Sequence, residues 1–174
     1  MRTFLIILLI IIILGCNDGL VSPIIESPFA IYVVEDTLYG KSECDIDKLT
    51  LEHNPLLNAS EITAYVWSEH QITLPEKTYK RLSNRIDLWR KGFVITVEGQ
   101  RIYWGLFQSF LDSYSCKNPV IILYPRAEDR KHILMSFIYI ERSFHGDEGL
   151  ENNEDPRKDY RIFTSLKNAG LLIQ

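Results

Sequence analysis

The sequence predicts an α+β domain, with a mostly antiparallel sheet and helices packed on one side. Three observations carry that prediction. Phe93–Phe107 (FVITVEGQRIYWGLF) holds two alternating apolar runs on either side of Glu98-Gly99-Gln100, a hairpin signal. Tyr79, Leu82, Ile86 and Trp89 recur at spacings of three and four, which makes one apolar helix face. Asp155-Pro156, then Ile162, Phe163, Leu166 and Ala169, then Gly170, supply the start, stripe and stop of a second helix.

The chain opens on an apolar run, Phe4–Leu14, that is far shorter than the ~20 residues needed to cross a hydrocarbon core. Arg2 before it and small residues after it describe a secretory signal peptide over residues 1–15. The end, Ile13-Leu14-Gly15-Cys16, resembles a bacterial lipobox, which implies cleavage before Cys16 and lipid attachment to its sulfur; the alternative is a short N-terminal anchor that is never cut, with Cys16 incidental. Two or three acyl chains would hold such a product stably on a membrane, where one would not. The expected address is therefore the cell envelope, with the membrane reached through Cys16. Residues 16–28 carry turn formers without a period and read as a tether. Residues 29–174 remain for a single domain.

Within that domain, Phe29–Glu35 (FAIYVVE) is β-branched and aromatic, hence a strand, and Asp36–Asn58 is irregular. Ser60 is placed to cap a short helical turn. Ala64–Trp67 and Gln71–Leu74 read as strands around Ser68-Glu69-His70. Thr73-Leu74-Pro75-Glu76 fits a capping box for the Tyr79–Trp89 helix, with Gly92 as its stop. Simple alternation through the hairpin puts Phe93, Ile95, Val97, Ile102, Trp104 and Leu106 on the core face. It turns Val94, Thr96, Glu98, Arg101, Tyr103, Gly105 and Phe107 to the other. Val120–Tyr124 and Ile133–Ile140 are further strands, and the acidic stretch His145–Glu154 is a loop.

The balance of 19 basic against 23 acidic residues and the absence of a basic tract argue against a nucleic-acid partner. No G-x-S-x-G, H-E-x-x-H, phosphate loop or C-x-x-C occurs. His53, His70, His132 and His145 have no metal-ligand spacing, and Asp45-x-Asp47 lacks the oxygen count and glycine of a calcium loop. The sequence therefore calls for no cofactor and no metal. Cys44 and Cys116 are too distant in sequence to settle whether they form a disulfide. Lys77, Lys80, Arg81, Arg85, Arg90 and Lys91 lie around the polar side of the first helix, either as a solvated face or as a contact for anionic headgroups. The candidate binding groups are Tyr103, Phe107 and Phe110, with Tyr114 beyond them and Arg101 on the same face. Exposed aromatics on a rigid strand anchor partners well, unless a second layer covers them.

Two resemblances follow from these motifs. The order strand, helix, hairpin over Ala64–Leu123 resembles the periplasmic head region of the protein-export subunit SecD, and implies a local fold only. Phe93–Gly105, Asn118–Leu123 (NPVIIL) and Asp155–Leu171 (DPRKDYRIFTSLKNAGL) are similar to an uncharacterised group of small bacterial lipoproteins, which implies location and architecture. At the end of the hairpin, Leu106-Phe107 replaces that group's Ala-Phe pair and Gln108 its tryptophan. The resulting expectation is a non-catalytic, lipid-anchored binding or accessory module that touches an envelope protein. Two alternatives stay open: an envelope hydrolase with dispersed carboxylate and histidine residues, or a self-protection lipoprotein that blocks a toxin or enzyme.

Overall fold

The computed structural model of the chain describes residues 27–109, 116–122, 137–141 and 155–174. Cys16 with the signal segment, most of the tether, Phe110, Tyr114, His132, His145 and the acidic loop lie outside them. The strands are β1 (Ala30–Val34), β2 (Leu57–Asn58), β3 (Ala64–Val66), β4 (Gln71–Thr73), β5 (Gly92–Val97), β6 (Gln100–Gln108), β7 (Val120–Ile122), β8 (Phe137–Glu141) and β9 (Leu172–Ile173). Among the described residues the α-helices are α1 (Glu76–Ser83) and α2 (Tyr160–Asn168), so the α+β class holds.

The nine strands among the described residues join one sheet in the order β2-β1-β5-β6-β7-β8-β4-β3-β9. The sheet is mixed. Its described pairings are antiparallel except β6 with β7 and β3 with β9. The last of these follows from the chain's end. Gly170, at φ 71°, closes α2 with Leu171 N–H donating to Leu166 O (2.9 Å) and Gly170 N–H to Lys167 O (3.0 Å). That reversal sends Leu171–Ile173 alongside β3, where Tyr65 and Trp67 N–H donate to Leu171 O and Ile173 O.

Both faces of the central strands are covered. The first face packs Ile31, Phe93, Ile95 and Phe107 against Leu82 of α1 and Ile162 and Leu166 of α2. The second packs Val34, Val94, Leu106, Val120 and Ile122 under Leu38 and Leu49 from the irregular segment after β1. Two-sided burial explains why β5 (GFVITV) is buried at every position.

Several local expectations change. Asn58, not Ser60, caps the turn Ala59–Glu61, with Glu61 completing a capping box. α1 has no side-chain cap, because Thr73 is committed to β4 and Pro75 takes the N-cap position. The helix stops at Ser83-Asn84, short of Ile86 and Trp89, and residues 86–88 form a separate 3-10 turn whose Leu88 points inward. Gly92 begins β5 instead of ending a helix. In α2, Ile162 and Leu166 are buried as expected, whereas Ala169 is exposed. Asp155 caps the turn Pro156–Lys158, and Asp159 caps α2 itself.

Candidate functional site

The β5–β6 hairpin turns on Glu98 and Gly99, both with positive φ (50° and 77°), so two residues close it and Val97 pairs with Gln100. The register then shifts. Thr96 faces Arg101, but Ile95 faces Tyr103, which leaves Ile102 as the extra residue of a bulge. One extra residue reverses the side-chain alternation for the rest of the strand. Tyr103 and Phe107 therefore enter the first core, at 6% and 0% exposure, and Phe93 meets their rings at centroid distances of 6.3 and 5.3 Å. Trp104 and Leu106 go to the second face. This corrects the expectation for the hairpin's faces: Tyr103 and Phe107 are covered and do not present their rings to a partner.

Arg101 remains on the second face, before the bulge. Its Nη1 donates to Leu49 O (2.9 Å) and to Ile46 O, which ties the irregular segment down over the sheet. Beside it lies an open cleft of about 840 Å³. Small or short side chains make its floor: Ala30 and Thr96 stand directly opposite each other on β1 and β5. Half-buried Tyr32 and Arg101 flank that floor, and Leu51, Pro55 and Ser60 form the wall. The cleft forms where four separate places in the chain meet, residues 27–32, 51–60, 96–101 and 169–171. Its lining mixes apolar side chains with the polar groups of Ser27, Asn58, Ser60, Thr96, Tyr32 and Arg101, a composition suited to orienting a bound group.

The buried polar cluster lies elsewhere. His70 is 4% exposed at the β3–β4 turn, with Nδ1 3.1 Å from Tyr65 Oη and its ring 5.4 Å from Trp67. Burial, reinforced by the Arg157 charge, lowers its pKa to about 4, so the ring is neutral at neutral pH. Burial likewise raises the Tyr65 and Tyr103 hydroxyls above their ordinary range. Arg157 makes a two-point pair with Asp155 (2.9 and 2.7 Å) and donates to Ile140 O at 2.7 Å. Burial alone would raise the Asp155 carboxyl, but the Arg157 hydrogen bonds and charge outweigh it and leave the group below its ordinary value. Neither described cavity is lined by His70 or Asp155. The cluster lies at the β3–β4 end of the sheet, where Trp67 meets Phe163 of α2.

Other sequence candidates are held in structural roles. Asp45 accepts from Asp47 N–H and pairs with Lys48 at 2.8 Å. Cys44 and Cys116 are free thiols packed on the second core, and burial raises both. Among the described residues no group of three His, Cys, Asp or Glu is placed to hold a metal ion. Sequence reading missed the cleft and the Arg157 pair. DPR was visible as a cap signal, but nothing local announces the Ile140 carbonyl that Arg157 reaches. Compared with known proteins, the chain matches no protein-family model, no curated protein and no solved structure.

Proposed function

We propose that the chain is a lipid-anchored cell-envelope protein whose domain acts as a non-catalytic binding or accessory module. The single observation that carries the binding reading is the open cleft beside Tyr32 and Arg101, set on the β1–β5–β6 part of the sheet. Sites built on strands hold their groups more firmly than sites on loops. The lipobox at Ile13–Cys16 and the tether behind it support the address. A self-protection role is the special case in which the partner is a toxin or an envelope enzyme.

A photo-crosslinking residue in place of Tyr32, in the full chain in its native host, tests this reading. One reproducible envelope protein captured from that position, and not from exposed Lys77, is the expected result. Capture no greater than from an unrelated lipoprotein would overturn the protein-binding reading and favour the hydrolase alternative.

A further inference from the structure

The end of α1 carries a feature that neither core uses. Ile86 is 74% exposed and Trp89 50% exposed, although Leu88 between them is fully buried. Large apolar groups exposed on a short, tight turn leave apolar surface in water. The indole is also held in place: the Arg90 guanidinium lies 4.4 Å from the Trp89 ring and 4.5 Å from the Tyr39 ring. Arg90 itself has φ 65°, a backbone position that fixes the turn's direction.

Around this apolar point the charge is one-sided. Residues 76–91 contain six cations against Glu76 and Asp87, in a chain whose net charge is −4. Among the described residues, Glu76 pairs Lys80, Asp87 pairs Arg85, and Glu61 and Glu52 reach in to Arg81, Arg85 and Lys91, so six cations stand against four carboxylates. An exposed tryptophan beside aliphatic and basic groups matches the headgroup layer of a bilayer, where indoles and cations are both favoured.

We propose that the Ile86–Arg90 turn is a wedge that seats on an anionic lipid surface. The proposal rests on the lipid-anchor reading, because that anchor brings the bilayer within reach. Ser27 O accepts from Glu98 N–H, so the chain enters the domain at the far end of β5 from the wedge. The eight residues from Arg90 to Glu98 separate the two by at most about 27 Å. Residues 17–26 reach at most about 35 Å when extended, enough for anchor and wedge to share one membrane plane. An acidic protein surface offers the same charge but is not delivered by the anchor.

The test is tryptophan quenching of the full chain on vesicles with brominated acyl chains, of phosphatidylcholine alone or mixed equally with phosphatidylglycerol. On the mixed vesicles, wild type is expected to show quenching that is lost in Trp89→Phe. Replacing Lys77, Lys80 and Lys91 by glutamine should weaken binding of the wedge by at least about five-fold. Equal quenching of wild type and Trp89→Phe, with unchanged circular dichroism, would overturn the proposal and leave an acidic protein as the occupant. The mass of the Cys16 peptide, read in the same samples, reports failure of the anchor separately.

Discussion

Gly105→Val is expected to prevent the domain from folding, and Gly105→Ala to lower its stability by several kcal/mol. Gly105 sits in β6 directly opposite Phe93, at the point where β6 meets the parallel strand β7. A Cβ there would overlap Pro119 O and the Phe93 ring, whose Cε1 would be only 2.7 Å away. Neither neighbour can give way cheaply. Pro119 O accepts from Leu106 N–H at 3.0 Å and sets the β6–β7 register, while Phe93 is fully buried between Tyr103 and Phe107. Overpacking a well-filled core typically costs about 1–3 kcal/mol, and a clash with fixed backbone adds to that. A urea melt of Gly105→Ala reads the cost directly. Adding Phe93→Leu should recover the ring-side part and leave the Pro119 part. An unchanged midpoint for Gly105→Ala would show that β6 and β7 do not meet as described.

His70 makes the second large effect, and its sign is fixed by burial. The ordinary histidine pKa is 6.5, and in the fold it is about 4. The unfolded chain therefore takes up a proton that the folded chain refuses, so stability is greatest above pH 6.5 and falls as pH drops from 6.5 towards 4. The gap corresponds to as much as about 3 kcal/mol, given 1.36 kcal/mol per pKa unit. The groups facing the ring are Tyr65, Asp155, Arg157 and Lys158, and the cationic members outweigh the carboxylate in opposing the proton. Asp155 and Asp159, held below the usual carboxylate value, lose their contribution only at lower pH. His70→Asn is the informative variant, because asparagine tolerates the positive φ of 50° and does not titrate. Its urea midpoint should be lower than wild type at neutral pH but nearly flat between pH 6.5 and 4. A wild-type midpoint equally flat over that interval would show that the ring is not buried in its neutral form.

The parts of this fold that the sequence made legible are those set by local chemistry. β1, β3, β4 and the hairpin follow from β-branched runs and turn residues, and α2 from a cap, a stripe and Gly170. What stayed hidden depends on contacts distant in the chain. The bulge at Ile102 reverses the faces of β6, and alternation gave no warning because both faces are apolar and both are covered. Spacing extended the first helix to Trp89, whereas Ser83-Asn84 ends it and leaves Ile86 and Trp89 outside. The parallel pairings of β6 with β7 and β3 with β9 join segments with no shared local signal. The cleft is likewise an arrangement of β1, β5, β6 and the wall residues that adjacency in sequence does not show.

The lipid anchor underlies the proposed address, the delivery of the cleft to an envelope partner and the reach of the Ile86–Arg90 wedge. Its most direct test is the mass of the amino-terminal peptide of the protein recovered from the membrane fraction of its native host. The predicted result is a chain that begins at Cys16 and carries a diacylglyceryl group on its sulfur, with Cys16→Ser released to the soluble fraction. A chain that still begins at Met1 with an unmodified Cys16, and is retained equally after Cys16→Ser, would contradict it.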